Sequence, residues 1–272
     1  MIGVDSMRLR RAAFVLAFLL YGVAAQSSAS ASERVIPFPK GHDTVTEGAS
    51  SYAGKSDAKD SPYFKTPDFY NMKSDGRGLY IITGYKTYQQ TNETSCGPAA
   101  ALTVLHYYGV KTFDEPKLAE LMGTINTMAP DSSEIGTSTL KIVTFFESLD
   151  WNVASSLTSA DKNGVSFKSI EEFREFAISN IQSGIPIMAE NMYWGGHWRV
   201  IIGYDTMNTP QIEDDILIYS DSYDVNDHKQ DGYMAENAGL FYYTWMDVGM
   251  LPPGQQLQQW VTAHPKEHKQ NK

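Results

Sequence analysis

From Leu79 onward the chain alternates between two kinds of apolar pattern, and each predicts a different element. Residues 79–88 are rich in Tyr, Ile and Thr and read as β-prone. After a polar turn, Cys96-Gly97-Pro98 opens a helical run over 99–108, and Gly109 stands where a helix commonly ends. Residues 116–122, 138–149 and 170–183 predict three further helices, and 185–190 a strand. Two stronger β-runs follow at 197–204 and 216–220, joined by a polar loop, and 240–245 predicts one more strand. Helices gather in the first part and strands in the second, which predicts an α+β layout. No internal repeat is visible.

The flanks differ in character. Residues 32–78 are rich in Ser, Asp, Lys, Gly and Pro and predict a partly ordered arm, docked through Tyr63, Phe64, Phe69 and Tyr70. The arm lacks the amphipathic helical period that would support a propeptide. The stretch beyond Pro252, with its Gln and Lys, reads as a surface tail over 252–272. At the start, Arg8, Arg10 and Arg11 precede an apolar run over 12–23, then small residues at Ala25 and Ala29 to Ala31. This is the three-part pattern of a secretory signal, too short to span a bilayer, with cleavage after Ala25 or Ala31. It predicts a secreted or periplasmic protein with no membrane anchor after cleavage, its domain occupying residues 79–251.

Charge narrows the partners. With 32 acidic against 22 basic residues the net charge is −10. That excludes general binding of nucleic acid through its phosphates, and an anionic membrane face would repel the chain. Of greater consequence is the single cysteine, Cys96. One cysteine makes no internal disulfide, and none stands at the signal cleavage site for lipid attachment. A lone thiol in an oxidising compartment is either buried and inert or used.

The neighbours of Cys96 favour use. Pro98 suits the first turn of a helix, so Cys96 sits at a helix N-terminus, where unpaired backbone N–H groups favour a thiolate. The same groups stabilise a developing oxyanion. Gly97 removes side-chain bulk beside that carbonyl, and the amide of Gln90, six residues upstream, can swing toward it.

A thiol also needs a base. Of six histidines, His42 lies in the arm, and His264 and His268 lie in the tail. His106 rises about 15 Å from Cys96 along the same helix. His228 falls in a polar loop. His197 follows Trp194, Gly195 and Gly196 and begins a long β-run, and the two glycines admit close approach of backbone or substrate. The base in turn needs an orienting group. If the two β-runs form a hairpin with Tyr204 opposite Ile216, Asp221 lies opposite Arg199, diagonal to His197 and on its face. Asp224 and Asn226 are the alternatives. Asp205 is excluded, about 26 Å along the strand.

Gln90 followed by Cys96-Gly97-Pro98-Ala99, a distant Gly196-His197-Trp198 leading into Val200-Ile201-Ile202-Gly203-Tyr204-Asp205, and a strand closed by Asp221 together resemble the papain-like cysteine peptidase superfamily. Within it, the pattern is most similar to the bacteriocin-processing (double-glycine leader) peptidase-like group. The resemblance implies a helical part carrying the nucleophile, packed on an antiparallel sheet carrying histidine and aspartate. It implies Cys96 as nucleophile, His197 as base, Asp221 as orienter and Gln90 at the oxyanion hole, a peptide or protein substrate and no cofactor. Acyl transfer of the transglutaminase- or phytochelatin-synthase-like kind, and a non-catalytic binding module, remain alternatives.

Other features carry less. The acidic stretch from Asp221 to Asp231 lacks the spacing of a calcium loop, and one cysteine leaves no Cys/His zinc pattern. Residues 136–139 read as the capped start of a helix. Trp194 and Trp198 flank the histidine and either wall a substrate cleft or pack.

Overall fold

The long β-run that begins at His197 forms the centre of a seven-stranded antiparallel sheet. In the computed structural model, which describes residues 31–39, 48–49, 67–127, 134–225 and 230–267, the strands are β1 (Leu79–Ile81), β2 (Asn152–Ser155), β3 (Ile187–Asn191), β4 (His197–Asp205), β5 (Ile216–Ser220), β6 (Tyr233–Asn237) and β7 (Gln259–His264). Their order is β2-β7-β3-β4-β5-β6. β1 pairs with β4 at Gly203 to Asp205, beyond the stretch that β3 occupies. Flanked along its length, β4 is buried from His197 to Tyr204, as a near-continuous apolar run requires.

Among the described residues seven α-helices accompany the sheet: α1 (Ala31–Arg34), α2 (Cys96–Tyr107), α3 (Glu115–Met122), α4 (Thr139–Ser148), α5 (Ser156–Ser159), α6 (Ile170–Gln182) and α7 (Ala238–Tyr243). Helix α2 is apolar on every side and buried from Cys96 through Leu105, so it lies inside the molecule against β4 and α3. Local signals set the ends of several helices. Asp114 accepts the Lys117 N–H at 2.9 Å, with Pro116 in the first turn and Gly123 left-handed at the exit of α3. Gly109, after α2, has φ +83°.

Four expectations need correction. Residues 240–245 are not a strand: α7 forms there because the Asn237 side chain accepts the Leu240 N–H at 2.8 Å and caps it. The region beyond Pro252 is not a tail: β7 is hydrogen-bonded between β2 and β3, with Trp260, Val261 and Ala263 buried. The hairpin register also differs at its far end. Tyr204 lies opposite Leu217, not Ile216, but an irregularity between Ile201 and Gly203 restores the expected step, and Val200 faces Ser220. Of residues 79–88 only the first three form a strand, while Tyr85 and Tyr88 enter the core as irregular chain.

The described parts of the arm lie on the body. Phe69 is buried, Tyr70 packs against the core, and Ile36 is buried with its N–H on the Thr87 carbonyl at 2.8 Å. Tyr63 and Phe64, like the signal-like residues 1–30, lie outside the described residues.

Candidate active site

The loop that delivers Cys96 is held from below by one carboxylate. Glu115, at the start of α3 and buried, accepts the Thr91 N–H, the Thr91 hydroxyl, the Tyr88 hydroxyl at 2.6 Å and the Ser95 hydroxyl. Cys96 then begins α2, whose first helical hydrogen bond runs from the Ala99 N–H to the Ser95 carbonyl. The N–H groups of Cys96 and Gly97 precede that bond at the positive end of the helix.

Gln90 lies in the same loop, but its amide is committed elsewhere. Nε2 donates to the carbonyls of Asn92 at 2.9 Å and Glu93 at 3.3 Å, and Oε1 accepts from Ser222 Oγ at 2.8 Å. Its backbone N–H donates to the Ser222 carbonyl at 2.8 Å. Gln90 therefore clamps the loop before Cys96 to the segment after β5, and it does not present its amide to an oxyanion as expected.

Asp221 closes β5, and its Oδ1 lies 2.7 Å from His197 Nε2. The Tyr223 N–H donates to the same oxygen at 2.8 Å. With Nε2 engaged, Nδ1 is the nitrogen left for the Cys96 thiol, which lies near enough to help raise the imidazole. Burial alone would lower the His197 pKa. The Asp221 charge and hydrogen bond, followed by Cys96, outweigh it and carry the imidazole to about 9. Burial likewise raises the Asp221 carboxyl, but His197, then Arg199 and the Tyr223 N–H, hold it below the usual range. Asp224 is occupied with the Gly232 N–H at 3.1 Å, and Asn226 and His228 lie outside the described residues.

Cys96 opens into a cleft of about 260 Å³ walled by Ile135, Thr137, Trp198, Met250 and Leu251, with Gly195 and Gly196 on its rim. Gly196 has φ +109°, and a methyl group there would sit 2.6 Å from Asp247 Oδ2. Only glycine brings the chain so close to that carboxylate. Gly97 serves packing instead of the cleft, since its missing side chain makes room for Thr137, whose Cβ would lie 2.7 Å from an added one. Trp198 is buried and donates its indole N–H to the Thr137 carbonyl at 2.8 Å. The Trp194 side chain lies outside the described residues.

Three groups at the site escaped the sequence reading. Arg199 is buried against the Tyr219 ring at 4.2 Å and paired with Glu236 at 2.8 Å. Glu190 and Asp247 are buried carboxyls in the wall of the cleft. A carboxylate at the end of the apolar strand 185–190 was the available signal for Glu190.

Residues 82–248 match the profile of the Peptidase_C39 like family. Among solved structures, the chain is similar to the crystal structure of the peptidase domain of Streptococcus ComA, a bi-functional ABC transporter involved in a quorum sensing pathway. The two are 18% identical, over 67% of this chain and 99% of that one, with a TM-score of 0.39. No curated protein matches the chain.

Proposed function

The chain belongs to the Peptidase_C39 like family, and from that premise we propose that it is an exported cysteine peptidase working through a thioester on Cys96. It has the α+β, papain-like peptidase fold of the double-glycine peptidase-like group. The observation that carries the catalytic reading is the pairing of Asp221 Oδ1 with His197 Nε2, set beside the thiol at the head of α2.

His197 takes the Cys96 proton at Nδ1, and Asp221 stabilises the imidazolium through Nε2. The thiolate attacks an amide carbonyl. The N–H groups at the start of α2 receive the oxyanion, a task the engaged Gln90 amide leaves to them. His197 then protonates the leaving amine, and afterwards it deprotonates the water that opens the thioester. The basic and apolar pattern of residues 1–31 supports export, and the lone cysteine fits a compartment where spare thiols are a liability.

The test is alkylation of Cys96 by iodoacetamide between pH 4 and 9, wild type beside His197→Ala. An activated pair labels fast well below pH 8, and the variant loses this. Labelling as slow as that of a small free thiol, identical in both proteins, would sink the reading.

A further inference from the structure

Three carboxyls line the cleft that holds Cys96, namely Glu93, Glu190 and Asp247, and no lysine or arginine lines it among the described residues. Glu93 is satisfied within the fold, by the Gly48 N–H at 3.1 Å and the Tyr223 hydroxyl at 2.7 Å. Asp247 is satisfied on one side only, its Oδ1 accepting the N–H groups of Gly249 and Met250, each at 2.9 Å. The remaining oxygens, Glu190 Oε2 and Asp247 Oδ2, are buried with no donor. Glu190 is 2% exposed and Asp247 3%.

These two carboxyls line the same cleft, and Asp247 acts directly on Glu190. Two acceptors set face to face repel unless something positive lies between them. Burial first, then the contact with Asp247, pushes the Glu190 carboxyl well above the carboxylate range. No lysine or arginine of the cleft, among the described residues, stands opposite the pair. Apolar residues would pack such a wall without that cost.

We propose that Glu190 and Asp247 form a substrate subsite that takes a primary ammonium group of the peptide, from a lysine side chain or a free N-terminus. This rests on Cys96 being the nucleophile of the cleft. The ammonium offers three N–H donors to the two unpartnered oxygens, and the proton that burial favours on Glu190 passes to solvent. Trp198, Met250, Leu251 and Ile135 supply the apolar lining that an aliphatic stem needs. Gly196, which a side chain would drive into Asp247, keeps the approach to that carboxylate open.

The proposal is tested with three small methanethiosulfonates that label Cys96: aminoethyl (cationic), methyl (neutral) and sulfonatoethyl (anionic). Each rate is divided by that of a small free thiol with the same reagent. The expected result is a preference of about tenfold or more for the cationic over the neutral reagent, converging toward one in both Glu190→Gln and Asp247→Asn. The two isosteric variants, each checked for folding by circular dichroism, guard against the loss of either. Protection of Cys96 from labelling then separates the sources. An N-acetylated peptide with one lysine protects if the side chain is bound, and a lysine-free peptide with a free N-terminus protects if the terminus is. A ratio near one in the wild type, a preference that survives both substitutions, or protection by neither peptide would overturn the subsite. Failure of all three reagents to label Cys96 would instead overturn the nucleophile reading, and this proposal with it.

Discussion

Asp221 meets His197 Nε2 at 2.7 Å across two strands whose register changes on the way. At their far end Asp205 faces Ile216, and an unbroken ladder from there would set Asp221 opposite Val200. A one-residue difference turns a side chain to the other face of the sheet. The irregularity between Ile201 and Gly203 removes that difference, so Val200 faces Ser220 and Asp221 falls on the face of His197. The bulge in β4 is thus part of the site, although it lies four residues and more from the histidine.

If Asp221 both orients and charges the ring, Asp221→Asn should lower turnover roughly a hundred- to ten-thousand-fold. It should also change the pH profile. The imidazole is carried to about 9 chiefly by Asp221, working against burial. In the wild type, activity should fall on the alkaline side through about pH 9, as His197 loses the proton that the leaving amine needs. In the variant that limb should move to lower pH. Rate profiles of Cys96 alkylation or of peptide turnover give the answer. A limb that stays in place would exclude Asp221 as the source of the shift.

The same shift links folding to pH. His197 titrates near 6.5 in an unfolded chain and near 9 in the fold. A raised folded pKa contributes stability that is fully present below about 6.5 and is lost as pH rises through about 9. The melting temperature of wild type should therefore exceed that of His197→Gln most at pH 6, with the gap narrowing toward pH 9.5. Thermal melts across this range check it, and a widening gap would contradict it.

Much of this arrangement was legible in the chain because its signals are local. Pro98 after Cys96 marks a helix start, and the apolar run behind His197 marks a central strand. What failed was non-local or masked by composition. The aromatic residues of 240–245 look like a strand until Asn237 is recognised as a cap. The glutamines at 255, 256, 258 and 259 disguise β7, although Gln258 and Gln259 are structural, bonding Phe167, Thr139 and Ser156. The meeting of Glu190 and Asp247 in one cleft joins distant parts of the chain, and no spacing rule announces it.

Glu115 offers a separate handle on the loop that leads into Cys96. Its carboxylate gathers donors from Tyr88, Thr91 and Ser95, the residue before Cys96. Glu115→Ala strands several buried donors at once, and the expected loss is on the order of 3 kcal/mol. Cys96 labelling should slow with it, because the turn that aims the thiol loses its anchor. Urea unfolding with labelling of the still-folded variant separates the two effects. A variant as stable as wild type would mean that other groups or water satisfy the loop.

The last prediction concerns the segment that composition marks as a tail. β7 pairs with β3 through Gln259 to Thr262 and with β2 through Val261 to His264. Removing it would strip both neighbours of a hydrogen-bonding edge and leave β2 with no partner strand among the described residues. It would also take out Trp260, which packs on Phe176 at 4.6 Å and Phe167 at 6.2 Å in the core between α6 and the sheet. A chain ending at residue 256 should accordingly fail to fold, seen as loss of soluble expression or of a cooperative melt. Val261→Asp reaches the same strand without truncation. Its side chain is fully buried, and a carboxylate placed there has no partner, so a loss of several kcal/mol is expected. Wild-type melting in either protein would show that the sheet stands without β7.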